Sequence, residues 1–151
     1  IAVTNMLAEL YLSKDELDRA AELYGDLVER APDNAAFQNN LAWTLARRGD
    51  LDSALSHARR ANDLAPDTPG IQDTLGVILL RKGDAAAARR HLAKAAEAAP
   101  QRADIQVNYA EALLAAGDRA EARRVLADLP AENLPASVRK KRDQLAAKLN
   151  E

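Results

Sequence analysis

Apolar positions recur along this chain with a helical rhythm that is broken at regular intervals. Leu17, Ala20, Ala21, Tyr24, Leu27 and Val28 fall at i, i+3, i+4 and i+7, the stripe of an amphipathic helix. Leu41, Ala42 and Leu45 begin another stripe, Ala54, Ala58 and Ala61 the next, and Leu75, Gly76 and Leu79 another. Gly49-Asp50, Gly83-Asp84 and Gly117-Asp118 separate helices within a pair. Glycine takes the left-handed backbone that ends a helix, and Asp is suited to cap the helix that follows. Pro32, Pro66 and Pro100 close the units, because proline cannot continue a helix and restricts the residue before it. The prolines stand 34 residues apart, as do the three glycines and the series Ala20, Ala54, Ala88 and Ala122. A fixed period of two helices predicts an all-α solenoid of stacked antiparallel helix pairs.

The period divides the chain into units at 1–34, 35–68, 69–102 and 103–130, with a different segment at 131–151. In the first unit Leu7, Ala8 and Tyr11 have the helical spacing of its first helix, and the turn is Lys14-Asp15, with no glycine. Ser13 and Glu16 have capping-box spacing for the next helix. Asn34 is expected to cap the third helix, and Thr68-Pro69 to open the fifth. In the fourth unit the second helix meets Pro130 early. Pro135 then starts a helix with Val138, Leu145 and Leu149 on one side and Arg139, Lys140, Lys141, Arg142 and Lys148 mostly on the other. A stacked array exposes an apolar face at its end, so this segment is expected to be a C-terminal capping helix with a wet outer side.

Composition narrows the chemistry. Apolar residues make up 48% of the 151, but aromatics only 3%, which implies closely packed helices with an alanine and leucine interior. With 21 basic and 23 acidic residues the net charge is -2, without the basic excess of a nucleic-acid binder. The absence of cysteine excludes disulfides and thiolate metal sites but fixes no compartment. No apolar run approaches the roughly 18 residues of a membrane span, and no signal peptide is visible. The chain begins at Ile1 in mid-pattern and reads as a piece of a longer protein. His57 and His91 also stand 34 apart, but no acidic or cysteine ligand repeats with them, so copying of the unit explains them better than metal binding. Nucleophile elbows and phosphate loops are lacking. No cofactor, no metal and no enzymatic activity are expected.

These residues resemble the tetratricopeptide repeat family across nearly the whole chain. The family pattern has aromatics at places four, eleven and twenty-four of the unit, Leu at seven, a small residue at eight, Ala at twenty and twenty-seven, and Pro at thirty-two. In the third unit these are Gln72, Leu79, Leu92, Leu75, Gly76, Ala88, Ala95 and Pro100, so the aromatic places are the departures. A narrower resemblance links Asn39-Asn40-Leu41-Ala42-Trp43, Leu64-Ala65-Pro66-Asp67-Thr68-Pro69 and Asp73-Thr74-Leu75-Gly76 to bacterial repeat lipoproteins of PEP-CTERM/exosortase and polysaccharide-export systems. In those, Trp often follows Thr-Leu-Gly, where this chain has Val77. That likeness implies a periplasmic, envelope-associated parent protein; without it the cytoplasm is the expectation.

The family resemblance implies a tetratricopeptide superhelix of four repeats and a capping helix, whose first helices line a concave groove. The groove positions are Asn5 and Glu9; Asn39, Asn40, Trp43 and Arg47; Asp73, Thr74, Val77 and Arg81; and Val107, Asn108 and Glu111. Asn40, Thr74 and Asn108 share one phase and either bond a peptide backbone or are repeat consensus. Trp43, the only tryptophan, is either a groove anchor or packing between first helices. Arg47 and Arg81 either meet an acidic ligand or are solvated charges at helix ends. The family's carboxylate clamp needs cations that are missing at Asn5, Asn39, Gly70, Thr74, Asp104 and Asn108. The expected function is a protein-interaction scaffold that binds a peptide or extended segment in the groove. The rival readings are a structural spacer or self-association module in an envelope, polysaccharide-export or sorting complex, and regulatory service to an enzyme elsewhere in the same chain. Neither nucleic acid nor direct membrane insertion is expected.

Overall fold

The computed structural model describes residues 1–130 and 132–151. Residue 131, where the terminal segment was expected to begin, lies outside the described residues. Among those described there are nine α-helices: α1 (Ala2–Ser13), α2 (Leu17–Arg30), α3 (Ala35–Arg48), α4 (Leu51–Leu64), α5 (Pro69–Arg81), α6 (Ala85–Ala98), α7 (Ala103–Ala115), α8 (Arg119–Ala127) and α9 (Ala136–Leu149). None is long and apolar enough to cross a membrane.

The turns follow the sequence signals closely. Gly49, Gly83 and Gly117 take φ of +100°, +88° and +86°. Asp15 holds the equivalent place in the first unit and adopts φ +61°, a conformation that its short polar side chain tolerates better than most. Asn34 Oδ1 accepts from the Phe37 amide at 3.1 Å, Asp84 from Ala87 at 3.0 Å and Asp118 from Glu121 at 3.2 Å. Asp50 sits at its N-cap without bonding the helix and accepts from Arg48 Nε at 2.7 Å instead. The expected capping box at Ser13 and Glu16 does not form. Ser13 is the last residue of α1, its hydroxyl donates back to Leu10 O at 2.7 Å, and Glu16 itself is the N-cap of α2.

Alanines set the spacing of the layers. Ala20, Ala54, Ala88 and Ala122 are buried, and between them lie the fully covered Tyr24, Leu27, Ile78, Leu92, Ile105 and Leu113. From α3 onward the first helices pack in series, α3 on α5 and α5 on α7, while α9 continues that layer by packing on α7 and α8. The second helices pack on their own first helix and on the next one, not on one another. A layer of helices in mutual contact is shorter than one held apart, so the array bends toward α3, α5 and α7. The concave side therefore belongs to the first helices.

The missing aromatics have a polar substitute. Gln38 Nε2 donates to Pro32 O at 2.8 Å, and its Oε1 lies 2.8 Å from His57 Nδ1. Gln72 repeats this with Pro66 O at 2.5 Å and His91 Nδ1 at 2.6 Å. Because the amide oxygen can only accept, Nδ1 carries the proton in both histidines. Burial lowers the pKa of each, and Lys94 and Arg90 add to the effect at His91. The two histidines thus tie a second helix through glutamine to the closing proline of the unit before.

Leu7, which shares the helical spacing of Ala8 and Tyr11, is exposed, because no helix covers that side of α1. One expectation needs correcting. Lys141 and Arg142 were assigned mostly to the wet face of the cap, but both are partly buried. They follow Val138 by three and four residues, so a helix that buries Val138 and Leu145 carries them to the edge of the same stripe.

Candidate peptide-binding groove

The groove floor divides into two halves of different character. In the N-terminal half, α1 and α3 present Asn5, Glu9, Asn39, Asn40 and Trp43. Asn5 Nδ2 donates to Glu9 Oε1 at 2.8 Å, which leaves Asn5 Oδ1 buried without a partner. Asn39, one unit on at the same phase, also has its Oδ1 buried and unpartnered. The Tyr24 hydroxyl, from α2, is a third such atom. Burial raises the Tyr24 pKa, and the charge of Glu9 raises it further. The Asn40 side chain stands close enough to oppose that shift, but no hydrogen bond of good geometry closes between them. Trp43 is 36% exposed beside these groups on α3. Buried polar groups without partners are rare in folded proteins and need a reason.

In the C-terminal half the polar groups satisfy one another. Asn108 Nδ2 donates to Asp73 Oδ1 at 2.9 Å, and Asn108 Oδ1 accepts from Lys141 Nζ at 2.7 Å. Lys141 also pairs with Glu111 Oε2 at 2.5 Å. The chain Asp73–Asn108–Lys141–Glu111 therefore fastens α9 across α7 to α5. Thr74 is buried, and its hydroxyl donates to Gly70 O at 3.0 Å within α5. Asn40, Thr74 and Asn108 thus do not form one exposed row. Val77 is partly buried against the core and Val107 is fully buried.

The two arginines are also engaged inside the fold. Arg47 Nη1 donates to Leu12 O at 3.2 Å, and its Nη2 to Asp15 Oδ1 at 2.7 Å. Arg81 Nη1 donates to Ala46 O at 2.6 Å. Leu12 and Ala46 hold the same place at the ends of α1 and α3, so each arginine neutralises a carbonyl end of the preceding first helix. Their equal phase was visible in the sequence, but the acceptor on the neighbouring unit was not. The groove residues that sequence reasoning missed are Tyr24 and Lys141.

Burial pushes the Asp73 pKa from 3.8 up to about 6, against donation from Asn108. A carboxyl whose pKa is raised by folding contributes stability that is complete below 3.8 and lost as pH rises through about 6. Asp73→Asn should therefore stabilise the fold at pH 8 by about 1–2 kcal/mol. That gain should shrink on acidification and vanish near pH 4 in paired urea titrations. A gain that stays constant with pH would contradict this reading. Elsewhere among the described residues, no group of three or more His, Cys, Asp or Glu side chains is placed to hold a metal ion.

Two tetratricopeptide repeat family profiles match the chain, one over residues 5–69 and one over 79–145. No curated protein matches it in sequence. Among solved structures, the TPR2B domain of yeast Sti1 in its pHsp70 complex superposes with a TM-score of 0.68 at 18% identity, covering 75% of this chain and 95% of that one. A MamA protein gives 0.70 at 15% identity, covering 97% of this chain and 73% of that one. YrrB, described as a TPR protein with an unusual peptide-binding site, gives 0.69 at 19% identity, covering 82% of this chain and 64% of that one. These identities speak to the fold alone. Repeats of this kind are typically protein–protein interaction modules. The two profiles between them cover most of the chain, leaving out residues 70–78 between them, and the chain belongs to the tetratricopeptide repeat family.

Proposed function

We propose that this chain is an interaction scaffold that holds an extended peptide segment in the N-terminal half of its concave groove. The observation that carries the reading is the pair of buried, unpartnered amide oxygens at equivalent places, Asn5 Oδ1 and Asn39 Oδ1. Asn5 and Asn39 stand at equivalent places of α1 and α3, which Arg47 ties together through Leu12 O and Asp15. A rotation of each side-chain amide would turn its oxygen to the groove surface, where main-chain N–H groups of such a peptide would satisfy both without regard to its sequence, and an apolar side chain against Trp43 would add selectivity. The peptide site named for YrrB and the complex named for Sti1 agree with this class of ligand. In the C-terminal half Asp73, Asn108, Glu111 and Lys141 already satisfy one another, so that half serves to hold the groove's shape.

The test is selection of ligands from a random peptide library displayed on phage, followed by titration of the selected peptides. Asn39→Ala should weaken binding by on the order of tenfold, a loss of about 1–2 kcal/mol for each hydrogen bond removed. Asn5→Ala should do the same, whereas Arg139→Ala on the outer side of α9 should change nothing. Equal affinity of wild type and both asparagine variants would overturn the assignment.

A further inference from the structure

The junction of the third and fourth units departs from the junction before it at several places that lie together. Ala96, Val125 and Tyr109 stand where that junction has Asn62, His91 and Leu75. Asn62 and His91 both bond Gln72, one at its Nε2 (2.7 Å) and the other at its Oε1 (2.6 Å). Gln106, the counterpart of Gln72, has neither partner. Its Nε2 donates to Ala96 O at 3.0 Å, a carbonyl that Pro100 has no N–H to bond. Val125 offers no donor to its Oε1. In addition α8 stops ahead of Pro130 after nine residues, where α6 runs for fourteen. The result is a cavity of about 620 Å³ among α6, α7 and α8, against about 360 Å³ at the sibling place beside Gln72. The larger volume is that of a small-molecule site.

We propose that this cavity binds a small organic cation, a protonated amine carried on an apolar or aromatic body. Ala93, Ala96, Val125 and Leu129 give it apolar walls for the body. Glu121 and Arg124 also line it and pair with each other. The remaining charges of the lining, Glu97 and Asp128, are both negative. At the sibling place the counterpart of Asp128 is Lys94, so the fourth unit has reversed a charge where it has opened a space. Glu97 and Asp128 attract the ammonium group, and Gln106 Oε1 accepts one of its N–H bonds. Tyr109 brings an aromatic ring, which also attracts cations. The cavity shares no residue with the concave groove, so the two sites are separate.

Spectra of ¹H–¹⁵N correlations of the full chain, recorded while phenethylamine is added, test this. The Gln106 side-chain amide and the backbone amides of Ala96 and Val125 should move along one saturating curve, with a dissociation constant on the order of 1 mM for a ligand of that size. The Gln72 amide, beside the sibling cavity, should stay in place. The uncharged isostere phenethyl alcohol should bind about tenfold more weakly, and the anion hydrocinnamate should not bind. Asp128 is exposed, so Asp128→Lys should leave the fold intact, and it should weaken phenethylamine binding about fivefold. Ala96→Asn combined with Val125→His rebuilds the partners that Gln72 has, so it should fill the cavity and abolish binding in a chain that circular dichroism shows to be folded. Should that double variant not fold, Asp128→Lys carries the test alone. No saturable shift at Gln106, Ala96 and Val125 by about 10 mM phenethylamine would overturn the proposal. Equal affinity for phenethyl alcohol, or an Asp128→Lys chain that binds as tightly as wild type, would overturn it as well. So would equal shifts at Gln72, the mark of a cation drawn indifferently to an acidic protein.

Discussion

Trp43→Ala should cut affinity for a groove-bound peptide by about 2 kcal/mol or more, roughly thirtyfold. Large aromatic side chains dominate binding where they are rigid and only partly covered before the ligand arrives. Trp43 meets both conditions, being 36% exposed on a helix whose other face is held by Leu41, Ala42, Leu45 and Ala46. The rest of the indole is packed, so stability should also fall, by about 1–2 kcal/mol. Isothermal titration calorimetry separates the two effects, because lost folded protein lowers the stoichiometry and lost contact lowers the affinity. An unchanged dissociation constant at full stoichiometry would remove Trp43 from the site.

Gly76→Ala should destabilise the fold by about 2 kcal/mol, although alanine is the better helix former. A Cβ at this place would stand 2.5 Å from Leu92 Cγ and 3.1 Å from both of its methyl carbons. Leu92 is fully buried, and its Cγ is a branch point, not a mobile tip, so α5 and α6 must part. Gly25 is the internal control. It lies inside α2 with nothing within 4 Å of an added Cβ, so Gly25→Ala should stabilise by about 0.5–1 kcal/mol. The midpoints of urea unfolding should therefore move in opposite directions. Two shifts of the same sign would show that close approach at Leu92 does not set the spacing of this pair.

The fold was legible because its determinants are local and repeated. Gly49, Pro66 and Ala54 each act within one or two turns of chain, and their copies fix the phase of the other units. What stayed hidden depends on where one unit lands on another. Arg47 and Arg81 were visible as equivalent positions, but their acceptors, Leu12 O and Ala46 O, belong to the unit before. Tyr24 was read as apolar stripe, and only the packed structure isolates its hydroxyl from every partner. Lys141 carried a usable signal, since its spacing from Val138 and Leu145 places it on their stripe. Its basic neighbours concealed that signal by suggesting a uniformly solvated face.

The two halves of the groove also divide the work. Lys141 completes a network that ties α9 to α7 and α5, while Arg47 ties α3 to α1 and Arg81 ties α5 to α3. Together these fix the spacing of the inner layer. That spacing sets the distance between Asn5 and Asn39, which the proposed peptide would have to match.

The most direct measurement is the side-chain amide region of a ¹H–¹⁵N NMR spectrum, recorded while a library-selected peptide is added. The Asn5 and Asn39 amide groups should shift together along one saturating curve, with the Trp43 indole N–H, while the Asn108 amide stays in place. Saturable binding that moves Asn108 and leaves Asn5 and Asn39 unchanged would contradict the assignment of the ligand to the N-terminal half of the groove.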